Sequence, residues 1–338
     1  MPQNNNVNNN ASTAQNQNTA IKTPDQAGDL RQIISDRRGK VIKSEAVNMK
    51  VKTPVHTLSI VSGKGGVGKS NIAASLACCL ADHGKRVVLL DADLGMANLD
   101  ILCGVKTKYS IANLIDGSRD LNEILIPFEQ TQNHGGVTLL PGGAGLKDLA
   151  DLEDYAMDML FDKLSYLDEI SDYLIMDAGA GIHKEVLAFA HASDITLLIT
   201  TPEPTSIRDA YGVLKSLGSY AWKRSDEKGV MLVVNMARDK REAFDVAERI
   251  RLASMQFLGN APIYLGYIQR DSVIERSVRN CRIFYRQNPE SPAADSIRNL
   301  TAELLKVCEG REITDVEKSA GFVKSFFSRL ARAFFPAV

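Results

Sequence analysis

The chain has 338 residues, with 40 Lys and Arg against 41 Asp and Glu, 44% hydrophobic residues and 24% charged residues. These values are typical of globular domains and argue against a wholly disordered, collagen-like or coiled-coil protein. The net charge of −1 shows no overall basic excess, so we expect no direct binding to nucleic acid. The longest apolar runs fall short of the roughly 18 residues that span a bilayer, and the first 30 residues lack the apolar core of a signal peptide. We therefore expect a cytoplasmic protein.

The five cysteines and five histidines are scattered along the chain. They form no C-x-x-C, no H-E-x-x-H and no mixed Cys/His cluster, the spacings that typically hold zinc or iron–sulfur centres. An odd number of cysteines in a chain without a signal peptide predicts reduced thiols. We therefore expect neither a disulfide framework nor a cysteine-bound metal.

The amino-terminal part differs in composition from the rest. Residues 1–20 include 11 Asn or Gln and no charged residue. Such a leader carries too little apolar surface to offset the conformational entropy of folding, so we expect it to be disordered. Residues 21–54 predict a short helix over residues 24–36 followed by a Lys-rich linker. The main folded domain is predicted to span residues 55–310, and a separate C-terminal element residues 311–338.

From residue 56 onward, short apolar runs alternate with segments of helical period. The predicted strands are Thr57–Val61, Arg86–Asp91, Val137–Pro141, Tyr173–Asp177, Ile195–Thr200, Val230–Asn235 and Ile263–Tyr267. The predicted helices include Ser70–Asp82, Leu146–Leu167, Ser206–Ser219 and Phe244–Phe257. This alternation predicts βαβ crossovers and hence an α/β fold, with a mainly parallel twisted sheet and helices on both faces. Ligands of such sheets bind at the carboxyl ends of the strands.

A glycine-rich segment follows the first predicted strand and opens the first predicted helix. It reads Ser62-Gly63-Lys64-Gly65-Gly66-Val67-Gly68-Lys69-Ser70. Glycines let such a loop wrap around phosphates, so that backbone N–H groups and the helix N-terminus point at them. Lys69 adds a positive charge for the β- and γ-phosphates, and Ser70 is placed to hold Mg²⁺. The segment therefore predicts the phosphate loop of a P-loop NTPase.

A second lysine, Lys64, stands at the start of this loop. The run Lys-Gly-Gly-Val-Gly-Lys-Ser resembles the deviant Walker A signature of the MinD/ParA family. In that family the extra lysine reaches across a dimer interface to the partner's nucleotide, where a cation arriving in trans stabilises transition-state charge. The resemblance covers about residues 56–309. It implies an ATPase that binds ATP and Mg²⁺ and forms a homodimer with ATP.

Further residues match the motifs of this family in the family's order. Asp91 and Asp93, just past the second predicted strand, resemble switch I. The resemblance implies that Asp93 orients the attacking water and that Asp91 belongs to the Mg²⁺ shell. Asp177 resembles the Walker B aspartate that holds Mg²⁺ through water, and Gly181 in switch II is implied to contact the γ-phosphate through its backbone. Asn235 resembles the residue that reads the adenine edge.

These expectations assign the site residues by role. Catalysis is assigned to Lys64, Lys69 and Asp93, and metal binding to Ser70, Asp91 and Asp177. ATP binding is assigned to Gly63, Lys64, Gly65, Gly66, Val67, Gly68, Lys69, Ser70, Asn71, Gly181 and Asn235. The backbone around Gly266–Gln269 is expected to form the other wall of the base pocket, and Asp209 is implied to face the partner subunit.

The final segment, Val316–Val338, has the pattern of a basic amphipathic helix. Large apolar residues recur at helical spacing, cations stand beside them, and no acidic residue follows Glu317. We favour a weak, reversible anchor for anionic membranes over the alternative, a terminal helix docked on the core. The residues predicted to meet the membrane are Phe322, Lys324, Phe326, Phe327, Arg329, Leu330, Arg332 and Phe334.

Within the MinD/ParA family, the sequence resembles the regulators of flagellar number. Its Asp25-Gln26-Ala27-Gly28-Asp29-Leu30-Arg31 is similar to the D-Q-A-x-x-L-R helix with which those proteins stimulate an FlhF-type GTPase. The resemblance assigns GTPase activation to Asp25, Gln26, Ala27, Leu30 and Arg31. Gln26 would act in trans by orienting the water of the GTPase. A flagellar C-ring protein and a flagellar transcription regulator are further candidate partners.

The resemblances together predict an ATPase switch that dimerises with ATP, associates with the inner face of the cell membrane and regulates flagellar number or placement. The alternatives are a MinD-like ATPase that determines the division site and a ParA-like partitioning ATPase. A partitioning ATPase would need a basic face for DNA and would have no use for the phenylalanine-rich tail. An iron–sulfur carrier of related fold is disfavoured because the C-x-x-C that would bridge the cluster is absent.

Overall fold

The computed structural model describes residues 54–95, 97–143, 146, 154–222, 229–309 and 321–334. The predicted leader over residues 1–20, the predicted helix over residues 24–36 and the motif residues within it lie outside the described residues. None of the described helices is both long and apolar enough to cross a bilayer.

In the described part of the chain, eight strands form one sheet of order β3-β4-β2-β5-β1-β6-β7-β8. Neighbouring strands are parallel except β3 and β4, which are antiparallel. Within the sheet, Asp177 of β5 is paired with Asp91 of β2 on one side and with Ile60 of β1 on the other. The strands are β1 His56–Ser62, β2 Arg86–Ala92, β3 Ile126–Gln130, β4 Gly136–Leu140, β5 Tyr173–Ala180, β6 Ile195–Thr200, β7 Val230–Ala237 and β8 Ile263–Gln269.

The central strands are buried on both faces. Every residue of β1 and β6 is buried, and their sequences are nearly continuous runs of Val, Ile, Leu, Ser and Thr. Such runs are typical of parallel strands that helices cover on both sides. The buried apolar side chains form two clusters, one on each face of the sheet. The predicted α/β fold with a mainly parallel sheet is confirmed.

Helices cover both faces of this sheet. Among the described helices, α1, α11 and α12 contribute to one apolar cluster, and α5, α7, α8, α9 and α13 to the other. Their bounds are α1 Lys69–Asp82, α2 Leu99–Cys103, α3 Ile111–Ile115, α4 Leu121–Ile124, α5 Asp154–Leu164, α6 Leu167–Ile170, α7 Lys184–Ala192, α8 Pro204–Trp222, α9 Lys240–Leu258, α10 Ser272–Arg279, α11 Phe284–Gln287, α12 Pro292–Glu309 and α13 Phe322–Phe334.

The bounds of the predicted helices differ from those in the structure; the helix predicted over Phe244–Phe257, for example, spans Lys240–Leu258. Of the helix predicted over Leu146–Leu167, residues 147–153 lie outside the described residues; the described part has a helix over Asp154–Leu164 and a separate short helix over Leu167–Ile170. The helix predicted over Ser206–Ser219 starts earlier, at Pro204, because proline suits the first position of a helix. Gly218 interrupts it with φ 52° and ψ −156°, which L side chains rarely adopt.

The strand β3 was not predicted. It lies at the edge of the sheet, pairs only with β4 among the described strands, and has a bulge between Pro127 and Glu129. Proline has no N–H for a strand ladder, so it is tolerated at an edge but weakens the sequence pattern of a strand. Pairing with β4, rather than a strand pattern in its own sequence, therefore accounts for the formation of β3.

Candidate nucleotide-binding site

The predicted phosphate loop connects the end of β1 with the start of α1. Gly66 and Gly68 have φ of 78° and 93°, a region that favours glycine. A Cβ on Gly68 would also lie 2.5 Å from Nδ2 of Asn235. The Ser62 hydroxyl donates to the carbonyl oxygen of Lys64 at 2.7 Å and fixes the start of the loop. The loop conformation therefore explains why the glycine at position 68 cannot carry a side chain without strain.

Lys69, the first residue of α1, lies at the bottom of this loop. Burial lowers the pKa of its ammonium group below the ordinary value, and the nearby carboxylates of Asp177 and Asp93 oppose that shift. The three predicted site residues therefore lie close enough to interact electrostatically. A bound polyphosphate would add negative charge at this lysine and favour its protonated form.

Asp177 and Ser70 fit the predicted Mg²⁺ site. Burial raises the pKa of Asp177 to about 7, and a hydrogen bond from Ser70 and the charge of Lys69 oppose the shift. Among the described residues, none donates a hydrogen bond to the buried Oδ1 of Asp177. A buried carboxylate oxygen without a donor is expensive unless a cation or water satisfies it. These two residues would hold Mg²⁺, which would neutralise charge on the nucleotide phosphates.

Asp91 has a role that the sequence did not reveal. Its Oδ2 accepts hydrogen bonds from the backbone N–H groups of Asn98 and Leu99, both at 3.0 Å, and Oδ1 accepts one from Asp93 at 3.4 Å. Burial raises the pKa of this carboxyl to about 6. Asp91 therefore fixes the turn of switch I and the start of α2. Its place in the Mg²⁺ shell stays a prediction.

Asp93 lies on the same turn, beside switch II. Its Oδ1 accepts from the N–H of Gly95 at 2.9 Å, and it lies 3.7 Å from the position of a Cβ on Gly179. A larger residue at position 179 would therefore press on this carboxylate. The structure brings Asp93 together with Lys69 and Asp177, as the sequence predicted, while its role toward the attacking water stays a prediction.

Lys64 points away from the phosphate loop in this conformation. Its Nζ lies 2.7 Å from Oε2 of Glu203 and 3.3 Å from Oγ1 of Thr205, at the start of α8. The side chains of Lys64 and Glu203 are 40% and 61% exposed, so this ion pair contributes little stability and can exchange with another anion. Asp209, also on α8, lies behind Gly63, where a Cβ would overlap its backbone.

Asn235 is buried at the end of β7, directly behind the phosphate loop. Its Nδ2 donates to the carbonyl oxygen of Val67 at 2.7 Å, and its Oδ1 accepts from the N–H of Met236 at 2.8 Å. Asn235 therefore ties the loop to the strand that leads to the base pocket. Each amide atom can make a second hydrogen bond, so the predicted adenine-reading role is compatible with this tie.

A cavity of about 530 Å³ opens beside the phosphate loop and is large enough for a nucleotide. The predicted residues Gly66, Gly68, Lys69, Ser70, Asn71 and Asn235 line it. From the segment Gly266–Gln269, Ile268 reaches the cavity. Sequence reasoning missed most of the opposite wall, which consists of Met236, Ile274, Glu275, Val278, Arg279 and Phe284. The signal for it was the alternation of apolar and charged residues in α10, directly after β8.

Gly181 adopts φ 101°, and its N–H donates to the carbonyl oxygen of Ser62 at 2.8 Å. The backbone N–H that was predicted to contact the γ-phosphate is therefore bonded to the end of β1 in this conformation. The imidazole of His183 lies over Gly181, with ring atoms 3.2 and 3.4 Å from the position of a Cβ. The γ-phosphate contact stays a prediction, and it requires this turn to rearrange.

The C-terminal helix α13 is docked on the domain, as the less favoured sequence alternative described. Phe326, Phe327 and Leu330 are fully buried, and Phe322 and Phe334 nearly so. The ring of Phe327 stacks on that of Phe161 of α5, with centroids 6.0 Å apart. The apolar face predicted to enter a membrane therefore forms part of the apolar core in this conformation.

The cations of α13 are also engaged by the domain. Lys324 pairs with Asp162, and Arg329 donates to the carbonyl oxygen of Ala192 at 2.7 Å and contacts Asp194 at 3.3 Å. Arg332 is exposed. Two of the three cations predicted to meet lipid headgroups are thus directed to the protein here. Membrane binding by this face would require the helix to undock.

Gly321 and Asp168 fix the start of α13. Gly321 has φ 87°, and a Cβ there would overlap the carboxylate of Asp168. Asp168 Oδ1 accepts from the N–H of Val323 at 2.9 Å. A carboxylate at this end is favoured because a helix N-terminus presents N–H groups that lack intrahelical acceptors.

The sequence profile of the family described as "ParA: NUBPL iron-transfer P-loop NTPase" matches residues 53–305. The flagellum site-determining protein YlxH of Helicobacter pylori is 36% identical, over 81% of this chain and 89% of that protein. The antiactivator FleN of Pseudomonas aeruginosa is 34% identical, over 71% of this chain and 83% of that protein.

A solved structure shares the fold. MinD from Pyrococcus horikoshii, complexed with Mg-ADP, superposes with a TM-score of 0.56 at 24% identity, over 77% of this chain and all of that chain. Within the described residues, no group of three or more His, Cys, Asp and Glu could hold a metal ion by itself. The chain belongs to the ParA/MinD family of P-loop NTPases, which are ATPases.

Proposed function

We propose that this ATPase is a nucleotide-dependent switch that regulates the number or placement of flagella. The observation that carries the proposal is the similarity to YlxH and FleN, at 36% and 34% identity across most of the ATPase domain. YlxH is named a flagellum site-determining protein. The described site supports the enzymatic half of the proposal, because the loop, Lys69 and Ser70 line one cavity and Asp177 interacts with both Lys69 and Ser70.

The switch would work through an ATP-dependent homodimer. The side chain of Lys64 is 40% exposed, and among the described residues its ammonium group contacts Glu203 in a surface ion pair and Thr205 in a hydrogen bond. A lysine so placed can leave Glu203 for the nucleotide of a second subunit at little cost. There it would stabilise charge that develops during phosphoryl transfer.

The variant Lys64→Ala tests the dimer. We expect ATP-dependent dimerisation to be lost and turnover to fall about 10²- to 10³-fold, the usual effect of removing one transition-state cation or donor. Sedimentation velocity and phosphate release with ATP and with ADP measure the two effects. Lys106→Ala, at another exposed lysine, is the matched control. A Lys64→Ala protein that dimerises and hydrolyses ATP normally would contradict the trans role.

The C-terminal helix α13 would serve as the reversible membrane anchor in this switch. Its apolar face is large enough to bind an interface weakly, and a dimer would offer two copies, which multiplies residence time. Because the helix is docked in this conformation, we propose that the anchor acts only after undocking. The Phe-rich face would then exchange the protein core for the lipid interface.

Vesicle pelleting tests the anchor. With ATP, we expect the full chain to pellet with vesicles that contain anionic lipid, and to pellet less with neutral vesicles or with ADP. Removal of Val316–Val338 should abolish pelleting, and Arg332→Ala should weaken it by about fivefold, because one interfacial charge contributes about 1 kcal/mol. Equal pelleting of the shortened chain would contradict the anchor.

The N-terminal motif would carry a second activity, stimulation of an FlhF-type GTPase. Its residues Asp25 to Arg31 lie outside the described residues, so the proposal rests on their similarity to the D-Q-A-x-x-L-R motif. GTP hydrolysis by such a GTPase should accelerate with a peptide that covers residues 20–40. A peptide with Gln26→Ala should bind without accelerating hydrolysis. Equal stimulation by both peptides would contradict the role of Gln26.

A further inference from the structure

Helix α9, which covers β7 and β8 with its buried face, also carries exposed apolar side chains. Five large apolar side chains on α9 and at the start of β8 are 49–68% exposed: Phe244, Leu252, Met255, Phe257 and Ile263. Single exposed apolar residues are ordinary, whereas a group of neighbouring ones marks an interaction surface. None of these five residues lines the nucleotide cavity. This part of α9 is therefore available for a contact that the nucleotide site does not use.

Four residues of α9 lie along a single face of the helix. They are spaced by four, three and four residues, which places their side chains in one row. This row, the α9 stripe, consists of Phe244, Glu248, Arg251 and Met255. The ring of Phe244 contacts that of Tyr264 in β8 edge to face, with centroids 6.4 Å apart. Because β8 is an outermost strand of the described sheet, the α9 stripe lies beside the edge of that sheet.

The centre of the α9 stripe is charged, and its two ends are apolar. Nε and Nη2 of Arg251 donate to the two carboxylate oxygens of Glu248 at 2.8 and 2.9 Å. This ion pair has no net charge, so the stripe lacks the basic excess that attracts anionic lipid or nucleic acid. Its order is apolar, acidic, basic, apolar. Read in the opposite direction, the same order places a base opposite each acid and an apolar residue opposite each apolar one.

A second copy of this chain, with its α9 helix running antiparallel, matches the stripe. A twofold axis that passes between Glu248 and Arg251 makes Glu248 face the partner's Arg251. Phe244 then faces the partner's Met255, which pairs an aromatic ring with a thioether, a favourable contact. A twofold axis repeats each contact. One stripe therefore supplies two apolar pairs and two ion pairs to the interface.

The charges at the ends of α9 fit the same antiparallel arrangement. Lys240 and Arg241 are the first two residues of the helix, where cations oppose the helix dipole. The helix ends at Leu258, where its carbonyl groups form the negative end of that dipole. In an antiparallel pair, the two cations of one chain lie beside the C-terminal end of the partner's helix. A position that is unfavourable in the single chain thus becomes favourable in the pair.

We propose that the α9 stripe is an interface between two copies of this chain, formed by antiparallel pairing of their α9 helices. The stripe extends over only about 17 Å of helix, so the interface is smaller than the roughly 1,200 Å² of a standard stable complex and is weak by itself. It strengthens when a nucleotide-dependent interface has already joined two chains, because each dimer then presents two stripes. Dimers of this kind would join into tetramers and larger assemblies. Only this growth rests on the proposed ATP-dependent homodimer.

Reversal of single charges tests which residues face each other. In Glu248→Arg, cations oppose cations across the interface, and in Arg251→Glu, acids oppose acids. We expect either variant alone to associate with itself at least about tenfold more weakly than the unchanged protein. A mixture of the two variants should associate as the unchanged protein does, because each cation of one chain faces an acid of the other. Arg249→Glu, at an exposed arginine of α9 outside the stripe, is the matched control and should associate normally.

Sedimentation equilibrium of the full chain at increasing protein concentration measures the association. With ADP, the unchanged protein should shift from monomer toward dimer, and Met255→Lys, which places a charge at the apolar end of the stripe, should stay monomeric. With a non-hydrolysable ATP analogue, the unchanged protein should form tetramers and larger species. Each single charge variant should stop at the dimer under the same conditions.

The remaining outcomes separate the α9 pair from the proposed ATP-dependent dimer. A chain that stays monomeric with ADP and stops at the dimer with the analogue would overturn the inference and leave the stripe to a different protein. Failure of the mixed charge variants to associate would overturn the antiparallel pairing, as would association that all the stripe variants leave unchanged. If association with ADP followed the charge pattern and the analogue caused no further growth, the α9 pair would stand and the ATP-dependent dimer would fall.

Discussion

The phosphate-binding edge of the sheet and the groove in which α13 is docked lie on either side of switch II. Different interactions dominate in the two regions. At the phosphate edge, short-range backbone geometry and a few charges dominate, as in Gly68 with φ 93° and Lys69 beside Asp177. In the groove, apolar side chains from α5, α7 and α13 meet, and polar contacts occur at its ends and along its edge. The residues of the phosphate loop are consecutive in the sequence, whereas the residues of the groove are far apart in the sequence.

This difference between the two regions determines whether each region can exchange one binding partner for another. A phosphate loop has N–H groups and a lysine that suit phosphates and few other groups. An apolar helix face gains free energy from any surface that removes it from water, whether protein or lipid. The groove can therefore be one of two alternative sites for the same helix, while the phosphate edge has a single type of ligand.

The largest effect should come from breaking the groove. Phe326→Ala removes a fully buried ring and should weaken docking of α13 by about 3–5 kcal/mol, the cost of cavity formation in a core. Hydrogen exchange of residues 322–334 measures it. Arg332→Ala, on the exposed side of the same helix, should change the free energy of docking measured in this way by less than about 0.5 kcal/mol. A similar response in both variants would mean that the helix is not docked in solution.

A smaller effect should appear at the phosphate edge as pH changes. The pKa of Asp177 is raised from 3.8 to about 7, so the nucleotide-free folded state binds this proton more tightly than the unfolded state. Stability from this group is complete below pH 3.8 and is lost as pH rises through 7. Asp177→Asn, which keeps the neutral shape, should therefore gain stability relative to the unchanged protein by about 2–3 kcal/mol between pH 5 and pH 8.

Denaturant unfolding of both proteins at pH 5, 6, 7 and 8, without nucleotide or Mg²⁺, measures this difference. The sign matters more than the size, because paired carboxylates elsewhere lose stability in the opposite direction, as pH falls. The difference between the two proteins isolates Asp177. If the difference stays constant over this range, Asp177 is not buried and protonated in the nucleotide-free protein.

The smallest expected effect distinguishes strain from contact at Gly68. Gly68→Ala and Gly117→Ala both place alanine at positive φ, 93° and 73°, and each should lose about 1–2 kcal/mol of unfolding free energy. The added Cβ of Gly68→Ala would also meet Asn235, whereas nothing among the described residues lies within 4 Å of a Cβ on Gly117. ADP affinity by calorimetry should fall about tenfold in Gly68→Ala alone. Equal affinities would show that the tie between Asn235 and Val67 does not shape the loop.

The phosphate loop, the parallel strands and the positions of Lys69, Asp93 and Asp177 could all be predicted from the sequence. Each is encoded locally, by glycines within one loop or by apolar runs that end in a carboxylate. The contribution of α10 to the wall of the cavity could not be predicted, because the sequence of a helix does not indicate which strand end the helix covers. The hydrogen bonds that Asp91 accepts from Asn98 and Leu99 could not be predicted either, because they depend on a turn that its own sequence does not fix.

The sequence by itself determined the chemistry of this protein, because phosphate binding depends on residue types at fixed short spacing. It also predicted an amphipathic helix within Val316–Val338, of which the structure describes the helix Phe322–Phe334, because the 3.6-residue period requires no knowledge of the partner. Only the tertiary structure decided where the apolar face of that helix lies. Its burial depends on a groove whose Phe161, Phe189 and Asp168 are more than 100 residues distant, and hydrophobic burial is favourable wherever a matching surface exists.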